Sequence, residues 1–400
     1  MKNGISTNKL PPVYTKVFRH EMFPELTHDE TARYNFIANL NQHLSEISTG
    51  NRVAYEKRVQ PAFKKEHGRD FKNRHEVRHA LKKDLYYQAW SALRRNTMEM
   101  RQQAGRSIVL RQINTLNEKA DKLNEGKSTL QLNPEIKSPR YASVVDIHCQ
   151  VGGYHTELCE GDVSVGANYD TGIFVTTTGG VGPTIDGGGK ALAAAVKQTF
   201  PDFNPKRILD IGCTIGHNVL PIAQMYPDAE IVAVDVGAPV LRYGHARAQS
   251  FGVNNVTFLQ ADVENLDFED ESFDWIQTTM FLHETSSRSI RNIMNEVYRM
   301  LKPGGLCLHV EQPQYTPDMD LCEQALRDWD CFYNNEPFWS TMHGMDSKEI
   351  MTAAGFTGED YIELQAAAQT VEGDVTKPAK ELSEDHGREA MWTVFGGWKQ

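Results

Sequence analysis

The sequence predicts an α/β fold, in which a doubly wound, mostly parallel sheet follows an N-terminal α-helical module. A short apolar run at residues 208–211, bounded by polar residues, is typical of a strand buried on both faces. A glycine-bearing turn at 212–216 and helical spacing at 218–225 follow it directly. Further apolar runs at 231–236 and 256–260 predict two more strands of the same sheet.

Length and composition allow two or three domains with buried cores. The chain has 400 residues, and 40% of them are hydrophobic. We divide it into an α-helical module at 1–140, a connecting segment at 141–189 and the sheet domain at 190–400. The first 26 residues carry three prolines and predict an extended arm.

Helix signals recur through the N-terminal module. Thr27 and Glu30 have the spacing of a capping box, and Gly50 stands where this helix is expected to end. One face of the helix is apolar, at Phe36, Ile37, Leu40, Leu44 and Ile47. Asn73 and Glu76 repeat the start signal for a second, longer helix.

Charge divides the chain into two parts of opposite sign. Residues 1–140 carry 26 Lys and Arg against 15 Asp and Glu, a net charge of +11. Since the whole chain has a net charge of −11, residues 141–400 have a net charge of −22. The opposite signs are compatible with modules that attract each other, with one module that meets an anionic partner, or with helices that simply carry solvated charges. Because helices with one apolar stripe must pack on something, we expect the module to act as a lid that shapes the substrate site or as a homodimer interface. Nucleic acid is an unlikely partner on this pattern, because acidic residues are interspersed and no recognised nucleic-acid motif is present.

Compartment signals favour the cytoplasm. No apolar run approaches the length of a membrane span, and the N-terminus lacks the apolar core of a signal peptide. The six cysteines contain no CxxC pair, which predicts free thiols rather than a disulfide framework.

The glycine-bearing turn predicts a ligand site at the end of the first core strand. Asp210 stands at the strand's end, and Gly212, Cys213 and Gly216 provide small residues against which a ligand can lie. Asn218 then begins the helix. The dinucleotide fingerprint G-x-G-x-x-G is absent, which argues against a nicotinamide dehydrogenase.

Carboxylates end the next two strands as well. Asp235 lies about 20 residues after the glycine turn, where an acidic side chain can accept hydrogen bonds from both hydroxyls of a ribose. Asp262 follows the third strand. Three successive strands therefore deliver a carboxylate to the same edge of the sheet.

At this point the chain resembles the class I S-adenosylmethionine-dependent methyltransferases, and within them the ubiquinone/menaquinone-biosynthesis type. The resemblance covers roughly residues 190–320, and it includes the glycine turn, the sequence FDWIQTTMFLHET at 273–285 and the turn RMLKPGG at 299–305. It implies a Rossmann-like, seven-stranded sheet, S-adenosyl-L-methionine as cofactor and methyl transfer as the reaction. Thr214 departs from the family's frequent Gly-x-Gly-x-Gly, but a small hydroxylated residue still fits beside a ligand.

The resemblance also implies where the cofactor lies. Asp235 would hold the ribose, Asp262 with Val263 the adenine, and the glycine turn the methionine part. The sequence NYDTG at 168–172 resembles an element that touches the methionine end. The implied cofactor residues are Tyr169, Asp210, Gly212, Cys213, Gly216, Asn218, Asp235, Val236, Asp262, Val263 and Thr279.

Catalytic candidates follow the fourth strand, predicted at 275–280. His283 and Glu284 lie at its carboxyl end, where ligands sit in open α/β sheets. Histidine titrates near neutral pH, so His283 is a candidate base for a proton on the methyl acceptor. Equally, it would serve to hydrogen-bond a neighbouring loop.

Two further regions are candidates for acceptor binding, the first because the resemblance implies that the connecting segment at 141–189 folds over the active site. Residues 143–155 predict a strand ending in two glycines, and they bring together His148, Tyr154 and His155 as pocket residues or as surface residues of a hairpin. Their spacing with Cys159 matches no standard zinc pattern, so no metal is assigned. An insertion after the fifth strand is rich in rings, which predicts either core or pocket for Trp329, Tyr333 and Trp339. The last strands are expected at 361–366 and 390–396, with an acidic loop between them.

Three functions remain open from the sequence. The first is methyl transfer to a small-molecule metabolite, by in-line displacement that depends mostly on positioning. The second is methylation of RNA or protein through the basic helices. The third is cofactor binding without catalysis.

Overall fold

The computed structural model of the chain describes residues 11–367 and 391–400. The first ten residues of the predicted arm and the acidic loop between the last two strands lie outside the described residues. The rest of the arm packs closely: Tyr14 and Met22 are buried, and the Tyr14 hydroxyl donates to the carbonyl of Thr171 at 2.7 Å.

The described strands form one sheet with the order β1-β4-β3-β2-β5-β6-β8-β7. The strands are β1 (Leu130–Gln131), β2 (Arg207–Ile211), β3 (Glu230–Asp235), β4 (Val256–Gln260), β5 (Phe273–Thr279), β6 (Leu301–Glu311), β7 (Tyr361–Ala367) and β8 (Met391–Trp398). Pairings from β1 to β6 are parallel, and β8 is antiparallel to both β6 and β7. The predicted seven-stranded, mostly parallel arrangement is confirmed, and the two-residue β1 extends its edge.

The helices are α1 (His28–Ala54), α2 (Gln60–His67), α3 (Arg74–Leu81), α4 (Leu85–Leu110), α5 (Ile113–Asn124), α6 (Arg140–Ser143), α7 (Ser164–Thr176), α8 (Gly187–Thr199), α9 (Val219–Met225), α10 (Ala238–Ser250), α11 (Ser287–Met300), α12 (Leu321–Arg327), α13 (Trp329–Tyr333), α14 (Trp339–His343) and α15 (Ser347–Ala354). None of the described helices is long and apolar enough to cross a membrane. All six cysteines are free thiols.

Apolar side chains alternate along the strands and cover both faces of the sheet. Ile208 and Ile231 belong to a core shared with α8, α9 and α10, whereas the adjacent Leu209 and Val232 belong to a core shared with α11 and α15. This is the doubly wound arrangement. The chain leaves β2 in one direction towards β3 and β4 and then returns to its other side at β5, so the carboxyl ends of β2 and β5 border a crevice.

The first helix begins as predicted but runs further. The Thr27 side chain accepts from the Glu30 amide, and Glu30 accepts from the Thr27 amide, which confirms the capping box. The predicted end at Gly50 is wrong, because α1 continues to Ala54 and then through a π-helical turn into α2. A Cβ at Gly50 would lie 2.2 Å from the Tyr86 hydroxyl, so this glycine allows close helix packing rather than a cap.

Two other expectations for the module are corrected. The second helix does begin after the Asn73 cap, but it ends at Leu81, and α4 is a separate helix capped by Asp84. In α1, Phe36 and Ile47 are 59% and 43% exposed rather than on the buried face. The apolar spacing was correct for a helix, but it did not identify which side packs.

The helical module and the sheet are continuous in space. Helix α4 packs against α7, and β1, which precedes residue 140, pairs with β4. A boundary at residue 140 stays a prediction, but residues before it take part in the sheet.

The predicted strand at 143–155 is wrong. Residues 140–143 form α6, and a single 3-10 turn covers Ile147–Cys149. His148 and Cys149 have φ angles of 53° and 57°, in the left-handed region that an extended strand excludes. The turn nevertheless brings His148 and Tyr154 together, with ring centroids 6.4 Å apart.

Candidate functional site

A cavity lies at the carboxyl ends of β2, β3 and β5, covered by the connecting segment and α4. This is the position expected for a ligand in a doubly wound sheet. The sequence-predicted residues that line it are His148, Tyr154, His155, Tyr169, Gly212, Asn218, Asp235, Val236, Val263, Thr279, His283 and Glu284. Residues far apart in the sequence thus meet around one space.

The glycine turn forms the floor of this cavity in a conformation that the sequence explains. Gly212, Thr214 and Gly216 all have positive φ angles, of 76°, 49° and 72°. A Cβ at Gly212 would lie 2.3 Å from the Phe281 ring, so glycine is required there. The turn therefore presents backbone rather than side chain to a ligand.

Asp235 is held by the same turn. Its Oδ2 accepts from the Thr214 amide at 2.9 Å, and its Oδ1 accepts from the Gly237 amide at 2.9 Å. Burial raises the pKa of Asp235 to about 6, although the two amides favour the ionised form. The carboxylate is thus fixed in orientation, and each of its oxygens retains a lone pair for a hydroxyl donor.

Four of the predicted cofactor residues do not line the cavity. Asp210 is 2% exposed and accepts a hydrogen bond from Gln277 on β5, and burial together with nearby Asp235 raises its pKa to about 8. Cys213 is 4% exposed, and Gly216 lies against the Phe258 ring. The fourth is Asp262, whose Oδ1 accepts from the Glu264 amide. These four residues therefore belong to the strand ends and turns around the cavity without lining it.

The helical module contributes a wall that the sequence did not assign. Arg101 and Gln102 of α4 line the cavity, and Gln102 donates to the His148 carbonyl at 2.8 Å. Tyr169 of α7 lies beside His217, with 3.4 Å between its hydroxyl and Nε2. Burial lowers the pKa of His217 to about 3, so this imidazole is neutral at physiological pH. The buried face of α4 also carries Arg94, Thr97 and Arg101, so the sequence pattern did not single out Gln102.

His148 and Tyr154 cover the cavity by contacts to Glu284. His148 Nε2 lies 3.0 Å from Glu284 Oε1, and the Tyr154 hydroxyl donates to the same oxygen at 3.4 Å. His148 Nδ1 lies 3.1 Å from Glu336 Oε1. Burial would lower the pKa of His148, but Glu336 and Glu284 outweigh it and raise that pKa to about 10. The imidazolium therefore joins the connecting segment to the end of β5 and to the insertion. Glu336 is fully buried and was not predicted from the sequence.

His283 is fixed by a carboxylate on the neighbouring strand. Its Nδ1 lies 2.6 Å from Glu311 Oε2, and its Nε2 lies 3.6 Å from Glu336 Oε2. Burial would lower the pKa of His283, but Glu311 and then Glu336 raise it. Glu311 ends β6 next to β5, so the rule that strand ends deliver site residues could have found it.

The predicted aromatic rings of the insertion stand behind the cavity, whereas Asp330 and Asn334 of the same insertion line it. Trp339 packs on His283 with ring centroids 4.9 Å apart, and its Nε1 donates to the Tyr315 hydroxyl. Trp329 is fully buried and donates to Ser91 of α4, and Tyr333 packs beside Trp329. None of the three predicted rings lines the cavity, which corresponds to the core interpretation rather than the pocket interpretation.

Comparison with known proteins agrees with this geometry. Residues 208–305 match the family described as a methyltransferase domain. Demethylmenaquinone methyltransferase of Symbiobacterium thermophilum is 34% identical over 123 residues, which are 30% of this chain and 47% of the relative. The ubiquinone/menaquinone biosynthesis C-methyltransferase UbiE of Erwinia tasmaniensis is 29% identical over 28% of this chain and 45% of the relative. The chain thus spans about half the length of the curated relatives it matches.

Among solved structures, phosphoethanolamine N-methyltransferase 2 of Haemonchus contortus is 20% identical and covers 57% of each chain, with a TM-score of 0.41. The family match spans residues 208–305, and hence the strands and the glycine turn of the cavity. Together with the curated relatives, it shows that this part of the chain is a class I S-adenosylmethionine-dependent methyltransferase domain.

Proposed function

We propose that the protein transfers the methyl group of S-adenosyl-L-methionine to a small-molecule acceptor. The observation that carries the proposal is the cover over the cavity, where His148 and Tyr154 meet Glu284 above the ends of the strands. A covered cavity suits a small acceptor better than a polymer. The curated relatives named for demethylmenaquinone and for ubiquinone biosynthesis also support a small acceptor.

The residues around the cavity fit the cofactor. Asp235 offers a fixed carboxylate to the ribose hydroxyls, and Val236 and Val263 supply apolar contacts for the adenine. Gly212 and Thr214 leave backbone space for the methionine part. When bound, the cofactor supplies an electrophilic methyl group on a positively charged sulfur.

Positioning is the main contribution of the protein to this reaction. Displacement at a methyl group requires the acceptor atom in line with the breaking bond, and holding both reactants in place lowers the entropic part of the barrier. Tyr154 and His148 exclude water from above, which also protects the sulfonium from side reactions. His283 and Glu284 lie on the wall beside β5, where we place the acceptor. Removal of an acceptor proton by His283 stays a prediction.

The test uses the full chain and cofactor labelled in its methyl group. The protein is incubated with a cell extract divided by size into metabolites, RNA and protein, and S-adenosylhomocysteine and label are measured in each fraction. The proposal expects label in metabolites. Label in RNA or protein would favour the macromolecular alternative, and no S-adenosylhomocysteine in any fraction would leave cofactor binding without catalysis. An Asp235→Asn variant is the control for enzyme-dependent transfer.

Cytoplasmic location and a homodimer stay predictions.

A further inference from the structure

A second group of chemically active side chains lies behind the acceptor wall. His283 follows β5, Glu311 ends β6 and His343 ends α14, and their potential ligand atoms all lie within 4.8 Å of one another. The three residues are 2%, 0% and 0% exposed. Two imidazoles and one carboxylate thus converge in a buried space next to the cavity.

His343 is the member of this cluster that the fold does not otherwise explain. In the part of the chain that the structure describes, neither of its ring nitrogens has a hydrogen-bond partner, although the residue is fully buried. Buried polar groups are normally paired, because an unpaired one loses its hydration without compensation. The ring lies nearly parallel to that of His283, at 21° and with centroids 6.1 Å apart. A nitrogen lone pair is therefore available beside His283 and Glu311.

Glu311 is already oriented for a ligand on one side. Its Oε1 accepts from the amides of Phe281 and Leu282, at 3.1 and 2.7 Å, which fixes the plane of the carboxylate. The other oxygen, Oε2, faces His283 Nδ1 at 2.6 Å. Carboxylate ligands of metal ions are commonly held by outer hydrogen bonds of this kind.

We propose that His283, Glu311 and His343 bind one divalent first-row transition-metal ion, with Zn²⁺ as the representative. Two histidines and one carboxylate form a donor set for such ions, with bonds of about 2.0–2.2 Å. Binding exchanges the hydrogen bond between His283 and Glu311 for two metal bonds. Around a tetrahedral ion of this bond length the ligand atoms lie about 3.4 Å apart. A pair at the 4.8 Å limit therefore closes by about 1.4 Å, and His283 Nδ1 and Glu311 Oε2, now 2.6 Å apart, separate by about 0.8 Å.

An ion at this position would act on the acceptor side of the cavity. Of the three proposed ligands, His283 lines the cavity, whereas Glu311 and His343 do not. The ion would therefore act on the acceptor side through His283, by fixing the orientation of this imidazole in the cavity wall. This inference goes beyond the proposed function, and metal binding is measured without cofactor or acceptor, so either can fail without the other.

The experiment uses the full chain without a histidine tag, stripped with a chelator and then titrated with Zn²⁺ against a competing indicator. We expect one tight equivalent in the wild type and an affinity at least tenfold lower in His343→Asn and in Glu311→Gln. His28→Asn, whose side chain is 94% exposed, should match the wild type and controls for surface binding. Circular dichroism verifies that each variant is folded.

A second measurement does not depend on the variants. Co²⁺ replaces Zn²⁺ in sites of this kind and gives visible absorption that reports its coordination. The wild type should develop that absorption up to one equivalent, and Zn²⁺ should displace it. A wild type that binds neither ion more tightly than folded His343→Asn, or that develops no Co²⁺ absorption, would overturn the proposal.

Discussion

Replacing Asp235 by Asn tests the position of the cofactor. The carboxylate faces the cavity and accepts from the amides of Thr214 and Gly237. Asn keeps the size of the side chain but removes the charge and one of the two acceptor oxygens. Hydrogen bonds to a charged group contribute about 1.5–3 kcal/mol. The dissociation constant for S-adenosyl-L-methionine should therefore rise by roughly 10- to 150-fold.

The pKa of Asp235 gives the same prediction a pH dependence. Because burial raises this pKa to about 6, the carboxylate is ionised and accepts ribose hydroxyls above that pH, and it becomes protonated below it. Cofactor affinity of the wild type should fall as the pH drops below about 6, by at most tenfold per unit. Asp235→Asn has no carboxylate to protonate, so this fall should disappear.

Titration calorimetry with S-adenosyl-L-methionine between pH 5 and 8 is the assay. Glu230→Gln is the matched control, because Glu230 begins the same strand at its opposite end and its side chain is 64% exposed. We expect this control to bind like the wild type. A folded Asp235→Asn variant with unchanged affinity at all pH values would remove Asp235 from the site and refute the assigned register of the cofactor.

Three further outcomes are expected. His283→Ala should lower turnover, measured by steady-state kinetics, by a factor of about 10²–10⁴ and leave the affinity for S-adenosylhomocysteine, measured by calorimetry, unchanged. Equal losses of turnover and of affinity would contradict a role on the acceptor side. Thr27→Ala should lower the free energy of unfolding, measured in urea, by about 1 kcal/mol through loss of the capping box. An unchanged free energy of unfolding would show that the capping box does not stabilise the protein. Burial raises the pKa of Asp170, but His20 and Arg247 outweigh it and hold that pKa at about 2. This pKa is below that of Asp in the unfolded chain, so the ionised Asp170 stabilises the fold fully above about pH 4, and this stabilisation is lost as the pH falls towards 2. The free energy of unfolding of Asp170→Asn should lack that loss between about pH 4 and 2. Identical pH profiles of the wild type and the variant would contradict the pairing.

The strand ends were predictable because their chemistry is local. A buried strand, a glycine turn and a carboxylate follow one another in sequence, so spacing alone placed Gly212 and Asp235 at the strand ends where the cavity lies. The capping box of Thr27 is local in the same sense. Asp210 and Asp262 end strands by the same local pattern but do not line the cavity, so the pattern places a strand end without telling which way its side chain faces.

The roof and the back of the cavity depend on contacts across long stretches of chain. His148 lies in a turn with positive φ, and its partner Glu336 is 188 positions further along the sequence, in the insertion. No sequence pattern around His148 or Glu336 predicts that the two side chains meet. The prediction that Gly50 ends α1 was wrong for the same reason, since the need for glycine there comes from contact with the Tyr86 hydroxyl of another helix. Helical spacing likewise predicted α1 without telling which of its sides would be covered.

The most direct test of the central claim is a crystal structure of the full chain with S-adenosylhomocysteine. The account predicts the ribose hydroxyls within hydrogen-bond distance of Asp235, the amino-acid part against the turn at Gly212, and the sulfur facing the wall formed by His283 and Glu284. Density for the ligand in another cavity, or in this cavity with its ribose away from Asp235, would contradict the account.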